Sequence, residues 1–226
     1  MSNIYNVALF GAASGGGLLG SVSVTNMDRL TLSQTAPAQF MQASIGSLTF
    51  SRSVMIGSPT VSDIRYTGSD AGLTSWFLVG PKWSGNAPRF TFSAASITVG
   101  KIKENWLYDV KVVDRNGDPI ASIPVKLTDT LANVQVNTTT DSEGRISFGS
   151  GATANTVIVR DHYKTGGAYA VRDRSPFLCE VNTGTSANAT YMSQRYNFDW
   201  PGLDDGNFSD VQDTVWLQPA AGLATG

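Results

Sequence analysis

The side chains with the greatest chemical reach in this 226-residue sequence are single: one cysteine, Cys179, and one histidine, His162. A thiol beside an imidazole can become an activated thiolate. Here nothing in the sequence places the two together, and each lies on or beside an alternating segment of the kind that holds buried cysteine and structural histidine. Asp114, Asn116 and Asp118 have the alternating oxygen spacing of a calcium loop, but the bidentate acid expected after the glycine is missing, and turn chemistry explains the triplet. A second acidic group, Asp204, Asp205, Asp210 and Asp213, reads as a solvated loop rather than a cation cage. The glycine run from Gly11 to Gly20 has no Lys-Ser/Thr after it and no strand-to-helix setting, so it does not form a phosphate cradle. Paired carboxylates for glycoside hydrolysis need a set separation, and the acids here fall mainly in turns. The expectation is a protein without catalytic residues, metal ligands or cofactor.

Flat aromatic side chains are the other chemical resource. Trp76, Trp83, Trp106, Trp200 and Trp216 are numerous for a chain with 15% charged residues, and such rings stack on sugars or fill protein interfaces. Trp106 and Trp216 sit within alternating segments and are expected in the core. Trp200, beside Pro201 and Gly202, is the first candidate for a contact residue, with Tyr196, Phe198 and Trp83 as further partner-binding candidates.

The elements that must carry these side chains are strands. No window sustains apolar residues at helical spacing for three turns, whereas 21–25, 29–32, 47–50, 89–92 and 97–99 alternate between apolar and Ser, Thr or Arg, the mark of half-buried strands. Residues 1–20 are too rich in glycine to pack and are expected as a flexible or partner-ordered arm. Residues 21–104 form a β-rich region whose irregular turn spacing fits a small sandwich or a short β-solenoid. The texture of 48–50 and 90–99 resembles the rungs of phage appendage β-helices.

From Trp106 the pattern sharpens. Residues 107–113 alternate, Asn116-Gly117 supplies a tight turn, and 123–128, 134–140, 145–148 and 156–160 follow as strands, with a second turn at Gly144. The markers Val110, Val112, Asp114, Gly117, Pro119, Val125, Leu127, Thr140, Asp141, Gly144 and Phe148 resemble the prealbumin-like and immunoglobulin-like modules related to the carboxypeptidase regulatory domain, of the kind found in phage virion structural proteins. That resemblance implies a β-sandwich over 105–218, closed by strands at 175–181 and 214–218 and interrupted by a long loop at 182–213, with a flexible tail at 219–226. It says little about function, since such modules serve as spacers, adhesive tips and accessory domains.

Composition limits the partners. The net charge is −2 and the 16 basic residues are scattered, which offers no footprint for nucleic acid. No run approaches the roughly 18 apolar residues of a membrane span. The N-terminal stretch has no basic region or long apolar core of an export signal, so synthesis in a host cytoplasm and residence in a virion are expected. The expected function is that of a non-enzymatic virion structural protein of a tailed phage: a head decoration, head fibre or tail component. Its partners would be other virion proteins and copies of itself in a homo-oligomer such as a trimer, with host surface glycan as a further ligand. The alternative is a carbohydrate-binding or adhesive module of a cell-surface protein.

Overall fold

The computed structural model describes residues 3–5, 8–12, 17–22, 26–28, 31–35, 39–56, 62–82, 90–202 and 208–220; side chains are described at 28, 44–53, 64–82, 90–202 and 208–220. The fold is all-β, as the alternation predicts, and no α-helix occurs among the described residues. The chain divides into two compact units. One comprises Met1–Asn105, Ile158–Asp173 and Gly202–Phe208; the other comprises Trp106–Val157, Arg174–Pro201 and Ser209–Gly226.

The first unit is a β-solenoid. Its strands are β1 (Asn3–Tyr5), β2 (Ala8–Ala12) and β3 (Gly17–Val22), then β4 (Asn26–Asp28), β5 (Thr31–Thr35) and β6 (Gln39–Ala43), then β7 (Ser47–Ser51), β8 (Val54–Ile56) and β9 (Ser62–Tyr66), and then β10 (Ser75–Val79), β11 (Phe90–Phe92) and the long β12 (Ile97–Val113). They pair in parallel as three ladders: β1-β4-β7-β10-β12, β2-β5-β8 and β3-β6-β9-β11. Asn3 pairs with Asn26, and Asn26 with Thr49, so each early coil is twenty-three residues long. Later coils lengthen, since Thr49 pairs with Phe77 and Phe77 with Lys103. Of the two architectures open for 21–104, the ladders select the solenoid. The strands of its first coil, β1 to β3, begin within residues 1–20, which the glycine content assigns to an arm, and end at Val22. Parallel pairing satisfies backbone donors and acceptors whatever the side chains are, and it accommodates Gly11, Gly17 and Gly20 in the strands.

The interior is built from columns of inward side chains one coil apart. Leu48, Trp76 and Ile102 are in register, as are Phe50, Leu78 and Glu104, and all six are at most 2% exposed. Ile64 and Tyr66 are in register with Phe90 and Phe92 on the third ladder. The ring of Tyr66 meets Trp76 edge-on with centroids 5.2 Å apart, a favoured aromatic geometry.

The last coil is covered by a hairpin from later in the chain, β15 (Thr156–Thr165) and β16 (Ala168–Asp173), which extends the first ladder beyond β12. Gly166 and Gly167, both at positive φ, make its two-residue turn, the geometry that matches strand twist. The alternating stretch 156–160, expected as a strand of the sandwich, is thus a correction: from Ile158 onward it belongs to the solenoid unit. Alternation identifies a strand and one buried face, but it does not say which sheet receives it.

The second unit is the β-sandwich. One sheet is β13 (Pro124–Thr128), β14 (Val134–Thr139), β17 (Phe177–Val181) and β18 (Gln194–Phe198), antiparallel in the order β14-β13-β17-β18. Facing it, the C-terminal half of β12 pairs in parallel with β19 (Val211–Trp216), and Lys111 bridges Arg145. Val110, Val112 and Val215 from one side and Val125, Leu127, Val136, Phe177 and Cys179 from the other are buried. The segment 182–213, expected as one long loop, contains β18 and the start of β19. Gly144 makes the second turn at φ +71°, where an added Cβ would stand 2.4 Å from the Val112 carbonyl oxygen. Only glycine fits there, because the same approach lets Val112 N–H donate to the Gly144 carbonyl at 2.8 Å.

Candidate functional site

Trp200, placed at a surface by its Pro-Gly neighbours, is 1% exposed. Its ring packs against Tyr108, Phe177 and Phe198 at 6.1, 5.4 and 6.1 Å, and its Nε1–H donates to the Ser209 carbonyl at 2.8 Å. A side chain so enclosed is part of the sandwich core and is out of reach of a partner. The sequence signal failed because Pro and Gly mark a turn, while the aromatic residues flanking the turn fold over it. Tyr196 and Phe198 are half-buried. Phe198 stacks on Tyr108 at 6.1 Å, and the Tyr196 hydroxyl donates to Asp213 at 3.1 Å. Trp83, Asp204 and Asp205 lie outside the described residues. Trp106 is 6% exposed, as its alternating setting predicts, whereas Trp216 is 50% exposed and is not a core residue. The signal for Trp216 was present: Val215 and Leu217 on either side are buried, so period two turns the indole outward.

The groups with chemical potential are each engaged. Cys179 is buried with its sulfur 3.4 Å from the Tyr108 hydroxyl. Burial pushes its thiol up, and the hydrogen bonds with Tyr108 and Tyr196 only partly oppose this. Little thiolate therefore exists at neutral pH. Cys179 should resist iodoacetamide in the folded protein over a period in which the urea-unfolded chain alkylates completely, as intact-mass spectrometry would show. Rapid modification of the folded form would contradict the buried placement.

His162 stands between two partners: its Nε2 lies 3.1 Å from a Glu104 carboxylate oxygen and its Nδ1 lies 2.9 Å from the Tyr169 hydroxyl. His162 and Glu104 are both 0% exposed, and the imidazole also lies 4.8 Å from the Phe90 ring. Glu104 is the residue at which an apolar column of the solenoid turns polar. The β15-β16 hairpin meets that carboxylate with a hydrogen-bonded ring, as a buried acid requires. Asp114 accepts backbone N–H bonds from Asn116 and Asp118 at 2.8 and 3.0 Å, which accounts for the calcium-like spacing as a turn. No cluster of three or more potential metal ligands occurs among the described residues.

A polar surface remains, on the outer face of the four-stranded sheet. Asn137, Lys126, Glu180 and Arg195 stand opposite one another across β14, β13, β17 and β18. Glu180 lies between two cations, with Lys126 Nζ at 3.3 Å and Arg195 Nε at 3.6 Å. Beside this row the chain after β17 rises to form a groove of about 360 Å³, lined by Lys126, Asn137, Glu180 and the segment 183–186. Sequence reading missed the groove because its members are single polar residues on separate strands, brought together only by register.

No protein-family model matches the chain, and no curated protein is significantly similar to it.

Proposed function

We propose that this chain is a non-enzymatic structural component of a tailed-phage virion that works through contacts with other virion proteins and with copies of itself. The observation that carries this reading is the solenoid's open ladder ends. The first ladder is continued past β12 by the β15-β16 hairpin, whereas among the described residues β1, β2 and β3, like β8 and β11, each pair with a single strand. An open parallel edge is a template for strand addition by another chain. The resemblance of the sandwich unit to modules of virion proteins points the same way, and surface adhesion is compatible with a displayed sandwich.

Sedimentation velocity over a wide concentration range, together with immunogold labelling of purified particles, tests the proposal. A homo-oligomer and labelled virions are expected. A monomer at high concentration with no particle labelling would overturn it.

A further inference from the structure

We infer that the groove on the outer face of the β14-β13-β17-β18 sheet is a binding site for an acidic saccharide. This inference stands apart from the virion role, because the groove would take its ligand in whatever assembly the chain serves. Its volume of about 360 Å³ lies at the small end of ligand sites and suits one or two sugar rings. The row of Asn137, Lys126, Glu180 and Arg195 spans three strand spacings, roughly 14 Å, enough to seat a short oligosaccharide across the strands.

The chemistry of the lining selects the ligand. Apart from Pro124 and Val125 the lining is polar, with no aromatic ring, so affinity must come from hydrogen bonds rather than apolar burial. The hydroxyls of Thr183, Thr185 and Ser186 and the Asn137 amide both donate and accept, which matches a polyhydroxylated ring. Lys126 in the lining and Arg195 beside it flank one carboxylate, so the row carries one surplus positive charge at the edge of the groove. Lys126 and Arg195 are 44% and 65% exposed, whereas Glu180 is only 16% exposed. Each cation keeps N–H donors beyond its contact with Glu180 to offer a ligand, while the carboxylate is held between them to accept a sugar hydroxyl. A phosphate dianion would meet the fixed carboxylate at close range. A uronic-type sugar, with a single negative charge and several hydroxyls, meets both halves of the row favourably.

The experiment is an NMR titration of the ¹⁵N-labelled full chain with methyl galacturonoside and with the neutral methyl galactoside. Shifts at 125–126, 137 and 180–186 are expected with the galacturonoside, which should bind about tenfold more tightly than the neutral sugar, the worth of one charge-assisted hydrogen bond. Lys126→Ala should erase that preference, and added salt should weaken it. Because Lys126 is substantially exposed, the variant should retain its fold, which a thermal melt checks. No shift with either sugar, equal affinity for both, or shifts centred instead on Trp216 would overturn the inference.

Discussion

Asp129→Ala should lower the unfolding free energy by about 3 to 5 kcal/mol, the usual consequence of removing one member of a buried ion pair. Asp129 is 4% exposed and Arg174, whose guanidinium donates to it at 2.8 Å, is 7% exposed. The same carboxylate accepts the backbone N–H groups of Leu131 and Asn133 and the side-chain amides of Asn133 and Gln135. Its loss would take from a buried cation and from several further donors the acceptor they now share. Urea denaturation should show the midpoint falling at constant slope. The Asp129→Ala/Arg174→Ala double variant should cost less than the sum of the two single variants. Burial pushes the Asp129 carboxyl up, but the hydrogen bonds from Asn133, Arg174 and Gln135 outweigh it and hold the group below its ordinary range. A carboxyl whose folded value is depressed contributes its stability above the unfolded value of about 4. That contribution should be lost as pH falls below about 4 toward the folded value. The acid limb of the wild-type stability profile should therefore be steeper than that of Asp129→Ala. Parallel limbs would show that the carboxylate carries no such linkage.

Trp76→Ala should cost a similar amount, about 3 to 5 kcal/mol, through a different cause. The indole is 0% exposed and sits in register between Leu48 and Ile102. Truncation would open a cavity in a column that depends on every coil being filled, and would leave the Ile45 carbonyl without the Nε1–H that now reaches it at 3.0 Å. Trp76→Phe keeps most of the ring but loses that donor, so its cost should fall well below that of the alanine variant. Chemical denaturation of the three proteins checks the order. A near-neutral alanine variant would mean that this column is not the solenoid's core.

The sandwich was legible in the sequence because its strands have one wet and one dry face, and its turns need residues that accept positive φ. Gly117 and Gly144, at φ +90° and +71°, sit where the turn chemistry placed them. The solenoid was harder to read. Its partners one coil apart match in burial rather than identity, as Leu48, Trp76 and Ile102 do on one ladder, so self-similarity in letters is faint. The glycines of residues 1–20 argue for disorder only while each backbone group is counted alone, and the ladder changes that sum. Trp200 and Trp216 exchanged their expected places for opposite reasons. A turn signal concealed aromatic packing around the first, and large apolar size concealed the outward phase of the second. The Glu104–His162 contact and the groove over Glu180 join residues far apart in the chain, and no local pattern announces a pair of that kind.

The regular step between coils has an evolutionary consequence. Because each early turn of the solenoid touches only the turns before and after it, a whole turn can be duplicated or excised without disturbing the rest, whereas a residue gained or lost inside a strand turns the side chains after it in that strand onto the wrong face, and the unequal later coils show that length changes are taken up between strands. The length of such a solenoid can therefore change by whole turns while the sandwich module is inherited unchanged.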